Sequence, residues 1–170
     1  MAEPLLSKRE INAARTREKM VDAAVDLYGS RSIDAVSLRE IAVTAGQKNS
    51  NALQYHFSNR DGLLQAIIDK HATAIAALRE SYISQLQEQG GDARVAALAL
   101  VALFIDYINR SPEGVNFVRV VSQIASVYQN GAGASPQVNI RFPRTKALEK
   151  LFNRALEKLP PQEAQRRIYL

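Results

Sequence analysis

Apolar positions along this chain recur at spacings of three and four, with no useful run of strict alternation, so the pattern predicts helices and no strands. Ser7-Lys8-Arg9-Glu10 is an S-x-x-E capping box. Beyond it Met20, Val21, Ala24, Leu27 and Tyr28 fall at helical spacing, and Gly29 is expected to end this first helix. A second box, Ser37-Leu38-Arg39-Glu40, opens a short helix with Leu38, Ile41, Ala42 and Ala45 on one face, closed by Gly46. A tight turn and another short helix ending near His56 follow, with Leu53 and Phe57, four apart, as its inward anchors. Asn59-Arg60-Asp61-Gly62 then starts a long helix whose stripe is Leu64, Ile68, His71, Ile75, Leu78 and Tyr82.

Gly90-Gly91 breaks that helix, and Asp92 caps the next, which runs to about Asn109. This helix is apolar almost all round, the pattern of an element buried in the centre of a bundle. Ser111-Pro112-Glu113-Gly114 reads as a turn, residues 115–129 as another helix, and NGAGASPQ as a loop. The Gly-Ala-Gly of that loop follows no strand, which makes a phosphate cradle a weak reading. Leu148, Leu151, Phe152, Ala155, Leu156 and Leu159 predict an amphipathic helix from about Arg144 to Leu159, punctuated by Pro160-Pro161. The expected fold class is all-α. A three-helix helix-turn-helix unit over residues 8–62 leads into a second helical domain over 63–170.

Composition removes several alternatives. The 170 residues contain no cysteine, which excludes thiolate nucleophiles, disulfide frameworks and cysteine-type zinc sites. The longest apolar run, ending at Ile105, is about half of the roughly 20 residues needed to cross a bilayer. The N-terminal stretch MAEPLLSKRE has no signal-peptide character, so a cytoplasmic location without membrane association is expected. The net charge of +5 is concentrated at the C-terminal end, where residues 141–170 hold eight Lys/Arg against three Asp/Glu. Bulk charge therefore says little about the N-terminal unit, which holds nine against eight over residues 1–62.

The local pattern says more. AGQKNSNALQYHF, Ala45 to Phe57, gathers Lys48, Asn49, Ser50, Asn51, Gln54, Tyr55 and His56 with no carboxylate. Asn and Gln can pair bidentately with adenine and Lys with guanine or phosphate, while Ser, Tyr and His can donate to phosphate oxygens. In a helix-turn-helix the second helix lies in the DNA major groove, and this stretch has the side chains for that task. The plainer alternative is a solvated polar helix with no partner.

The run from Arg17 to Leu64, with MVDAAVDLYG, VSLREIAVTAG and LQYHFSNRDGLL, resembles the DNA-binding domain of TetR-family transcriptional repressors. The most specific part is Tyr-His-Phe followed by the Asn-Arg-Asp-Gly-Leu-Leu entry into the fourth helix. From Ala45-Gly46 to Tyr55-His56-Phe57 this chain is one residue longer than the common pattern, and the extra residue lies within Gln47 to Asn51. By position, the resemblance implies base or phosphate contact for Arg39, with Ser37 and Lys48 nearer the backbone. Ser50 and Asn51 match base readers beside Asn49, and Ala52 could touch a thymine methyl. Gln54, Tyr55, His56 and Arg60 match phosphate or mixed contacts; for His56 the alternative is simply to cap and pack the helix end.

Catalysis has little to draw on: two histidines, no cysteine and no matched carboxylate motif, so neither an enzyme nor a metal site nor a cofactor is expected. His71 interrupts an apolar stripe, as a core histidine or as a polar anchor for a ligand. The resemblance implies that residues from about 63 onward bind a small-molecule effector and form a homodimer. Tyr82, Phe104, Tyr107, Phe117, Tyr128 and Phe142 are the aromatics that could line such a pocket, though aromatics at helical spacing are more often core.

The expectation is a ligand-responsive repressor that binds a palindromic double-stranded DNA operator as a dimer. Its rival is a helical small-molecule-binding or interaction protein without operator binding. Members of the family generally dimerise through two final long helices. Here QEAQRRIYL begins what reads as a further helix, with Pro161 and Glu163 suited to its first turn. The 170 residues are therefore expected to lack most of the dimerisation helices.

Overall fold

A computed structural model of the chain describes residues 7–49, 51–89, 93–129 and 140–141. Six α-helices and one 3₁₀ turn account for most of these residues, and there is no strand among them. They are α1 (Lys8–Ser30), α2 (Leu38–Thr44), α3 (Ala52–Phe57), α4 (Arg60–Gln89), α5 (Ala93–Arg110) and α6 (Gly114–Gln129). The all-α expectation holds. The expected NGAGASPQ loop, the helix over 144–159 and the matter of the dimerisation helices fall outside the described residues.

The first capping box forms in full: Ser7 Oγ accepts from the Glu10 N–H, and Glu10 Oε2 accepts from the Ser7 N–H at 2.8 Å. Two orphan amides at the start of α1 are thereby satisfied. Gly29 does not end the helix, which continues to Ser30 with Arg31 as C-cap. The reason for glycine there is packing: a Cβ at residue 29 would lie 2.5 Å from Asn116 Cβ and 2.7 Å from Asn116 Cα on α6. The Asn116 side chain and Cα rest on the Gly29 backbone, and there is no room for a second side chain.

Around α1 the core closes. Met20, Val21, Ala24, Val25 and Tyr28 are buried against Ile33, Val36, Ile41, Leu53, Phe57, Leu63, Leu64, Ile67 and Ile68. Each such large side chain taken fully out of water contributes about 1.5–3 kcal/mol. The long helix α4 belongs to this core at its start and to the second half of the molecule further on, where Leu103, Tyr107, Phe117, Val120 and Ile124 join it.

One expectation fails at α5. Leu103 and Tyr107 are buried, but Val95, Leu98, Val101 and Ile105 are exposed, Leu98 to 60 %. Apolar residues all round a helix predict central burial. Among the described residues, however, its neighbours α4 and α6 cover one side only.

Candidate nucleic-acid interface

The interface begins with two helices and the turn between them. Ser37 Oγ accepts the Glu40 N–H at 3.1 Å and so caps α2. The box is half made, because the Glu40 carboxylate turns away to pair with the Arg31 guanidinium. Ile41 and Ala42 face the core and leave Arg39 exposed. Gly46 follows α2 with φ +75°, a left-handed conformation that glycine adopts without the clash a Cβ would bring. Its N–H bonds to the Val43 carbonyl, and the next, from Gln47, bonds to that of Ala42.

Between Gly46 and α3 the longer turn is organised by Asn49. Its side-chain oxygen accepts the Asn51 N–H at 2.9 Å, and its carbonyl accepts the Ala52 N–H at 3.1 Å. That is an Asx-type turn leading straight into the helix. Helix α3 is anchored as its spacing predicts, with Leu53 and Phe57 buried. Gln54 and Tyr55 point outward, Tyr55 with 80 % exposure, while Ala52 and His56 are half-buried.

The corner after α3 explains the most specific stretch of sequence residue by residue. Ser58 has φ 65° and ψ −47°, and the Asn59 N–H bonds back to the Phe57 carbonyl at 2.7 Å: a γ-turn of the strained, positive-φ hand. Asn59 Oδ1 accepts the Gly62 N–H at 2.9 Å and caps α4. Glycine is required at 62 because a Cβ there would run into the Phe57 carbonyl oxygen. Arg60 donates to the carbonyls of Ile33 at 2.6 Å and Val36 at 3.1 Å, and lies 3.6 Å from Asp34.

Ser37, Arg39, Lys48, Asn49, Asn51, Gln54 and Tyr55 are thus all exposed along α2, the turn and α3. Ser37 and Asn49 also use their side chains to hold the local backbone. Arg60 is bound to carbonyls of its own domain, and its guanidinium faces inward. His56 packs edge-to-face on Tyr55, and partial burial, then the nearby charge of Arg17, lowers its pKa. Arg17 itself lies over the Phe57 ring at 5.0 Å, a cation–π contact the sequence reading did not single out. Ser50 lies outside the described residues.

The residues expected in a ligand pocket separate into groups. His71, Tyr107 and Phe117 form one buried cluster from α4, α5 and α6, with His71 and Phe117 rings 4.2 Å apart and Tyr107 edge-on to both. The Tyr107 hydroxyl and His71 Nδ1 are hydrogen-bonded. Nε2 of His71 makes no hydrogen bond among the described residues and lies 3.7 Å from the Glu113 carboxylate. Burial, then the charge of Lys70, lowers the His71 pKa to about 4, so the ring is neutral near pH 7. Tyr82 is half-buried and donates to Asp106 at 3.1 Å, and Phe104 packs against the core from its edge. The Tyr128 side chain and Phe142 lie outside what the structure describes.

Residues that join the two halves were missed. Lys70 bridges Asp22 of α1 at 2.7 Å and Glu113 at 2.6 Å. Partial burial works against its charge, but the two carboxylates outweigh it and raise its pKa. On α6, Asn116 donates to Asp26, Arg119 to the Gly29 carbonyl and Gln123 to that of Tyr28. The signal that could have found them is a pair of acids four apart, Asp22 and Asp26, on a helix otherwise committed to the core.

Two short helices joined by a glycine turn, with exposed amide, hydroxyl and basic side chains along the turn and the second helix, have the form of a helix-turn-helix DNA-binding unit. Residues 20–67 match the family described as bacterial regulatory proteins, tetR family. The matched residues run from within α1 into α4, so the chain carries a tetR-type DNA-binding domain at its N-terminal end. No curated protein matches the chain. Among the described residues no helix is long and apolar enough to cross a membrane, and no group of three or more His, Asp or Glu could hold a metal ion.

Proposed function

We propose that this chain is a transcription regulator of the tetR type, a ligand-responsive repressor that binds a palindromic operator as a homodimer, with residues 8–62 as its DNA-binding domain and the helices from 63 onward as its effector and dimerisation domain. The observation that carries the reading is the exposed, carboxylate-free row of Lys48, Asn49, Asn51, Gln54 and Tyr55, held outward by buried Leu53 and Phe57. Asn51 and Arg39 serve as base readers, and Lys48, Gln54 and Tyr55 as phosphate or mixed contacts. Ligand response is supported by the His71, Tyr107 and Phe117 cluster, which sits one residue from Lys70 and hence from the bridge to α1.

The test is salt-dependent binding of the full chain to duplex DNA from upstream of its own coding region. Affinity that falls steeply with salt, and falls further on Asn51→Ala, supports the reading. Absence of any sequence-preferring binding would favour a helical binding protein that retains the fold without an operator.

A further inference from the structure

Two asparagines ahead of α3 are used differently. The Asn49 side-chain oxygen accepts the Asn51 N–H at 2.9 Å, and the Asn49 carbonyl accepts the Ala52 N–H at 3.1 Å, so Asn49 is committed to shaping the turn. Asn51 is the N-cap residue of α3, a position where asparagine ordinarily accepts an amide of the first helical turn. Here it does not: its backbone is already helical, with φ −79° and ψ −9°, and its side chain makes no capping hydrogen bond. Capping residues usually have extended backbone, and the helical one swings the side chain off the orphan amides. The helix forgoes the stabilisation of a cap, and an exposed carboxamide keeps both its oxygen and its NH2 group free of the helix end.

The direction of that side chain follows from the same backbone. Helical geometry extends to Asn51, and at about 100° per residue it lies roughly opposite Leu53 and Phe57, the two side chains that anchor α3 to the core. Tyr55, four residues on, shares this outward side and is exposed. The chemistry of the face is narrow. From Gly46 to Asn59 there is no carboxylate, and Lys48 in the turn is the one lysine or arginine. The side chains that read guanine in the major groove, Arg and Lys, and those that accept from cytosine, Asp and Glu, are therefore absent from α3 itself. A planar carboxamide instead matches the adenine N7 acceptor and N6 donor together.

We propose that Asn51 reads adenine in each half-site, so that the base pair beneath it is A·T, and that Asn49 is a positioning residue that holds the turn without reading a base. The inference rests on the operator reading above and gives it a base identity. A bidentate pair fixes both partners in one plane and discriminates against the wrong base by roughly 5- to 150-fold. Guanine, where the operator has it, falls to Arg39 or Lys48.

In the experiment the full chain selects duplexes from a randomised pool, and each position of the selected sequence is then changed singly to the other three base pairs. One A·T position per half-site should lose its preference on Asn51→Ala, with all others kept. Placing 7-deazaadenine there, which lacks the N7 acceptor, should weaken binding by the parent but not by the variant. Asn49→Ala should lower affinity and blunt the preference at that same pair alone, and Asn49→Ser, whose hydroxyl can accept the Asn51 N–H, should restore both. Both positions are exposed, and helical circular dichroism verifies the fold; the 7-deazaadenine result on the parent needs no variant at all. An Asn51→Ala variant that keeps every preference, or a G·C or C·G pair at the position it relaxes, overturns the inference while the operator reading stands. Loss of preference at a second base pair on Asn49→Ala shows Asn49 reading a base and overturns its positioning role. A parent that selects no sequence removes the operator reading and the inference with it.

Discussion

Gln123 on α6 accepts the backbone N–H of Ile33 at 2.8 Å through Oε1 and donates to the Tyr28 carbonyl at 2.7 Å through Nε2. One amide side chain thereby satisfies two backbone groups in the turn that leads from α1 into the helix-turn-helix. Gln123→Ala should cost about 1–3 kcal/mol in urea unfolding, because a part-buried N–H loses its partner. Gln123→Glu keeps the acceptor and loses the donor, and should fall between the two.

Arg60 and Arg39 should behave in opposite ways. Arg60→Ala leaves the Ile33 and Val36 carbonyls without their donor and should lower the unfolding midpoint by an amount equivalent to about 1–2 kcal/mol. Arg39→Ala removes an exposed side chain, so thermal stability should hold while operator affinity drops by about 1–3 kcal/mol with relaxed preference at one base pair. A loss of stability in the Arg39 variant and none in the Arg60 variant would reverse this assignment.

Gly62→Ala brings a methyl against the Phe57 carbonyl and should destabilise the corner by about 1–3 kcal/mol. Ser58→Gly should act the other way. Relief of the positive-φ strain at the γ-turn is expected to raise stability by up to about 1 kcal/mol, measured by denaturant midpoint.

Stability should also fall on acidification. The His71 pKa lies near 4 in the folded chain and near 6.5 when the chain is unfolded, so the unfolded state binds the extra proton. The contribution is complete above about pH 6.5 and is lost progressively toward pH 4, a range worth roughly 3 kcal/mol. His56 shifts in the same direction, which means that His71→Gln should flatten the pH dependence between 4 and 6.5 without abolishing it. Urea titrations at several pH values decide this, and an equally steep dependence in the variant would refute the role of His71.

Features that depend on neighbours in sequence were legible before the structure: both Ser caps, the closing Gly46, and the inward pair Leu53 and Phe57. Those that depend on distant partners were not. The hold of Arg60 on its own domain was hidden because its carbonyl acceptors lie 24 and 27 residues earlier, and backbone carbonyls leave no mark in a sequence. Gly29 read as a stop because only the approach of Asn116, 87 positions on, reveals that it is a contact. The outward side of α5 was misread for a related reason: an apolar helix surface records a preference for burial without naming what covers it.

The bare contact at Gly29 has a mechanical consequence. With no side chain on α1 at that point, the Asn116 side chain rests directly on the α1 backbone, so a shift of α6 would bear on α1 without an intervening layer. At about 1.5 Å per residue, α1 is a rod of roughly 34 Å loaded at one end. A tilt of about 5° there swings the far end by about 3 Å, close to the 3.4 Å rise of one base pair. The long first helix is in that sense a lever, with its fulcrum at the point where a glycine leaves nothing to yield.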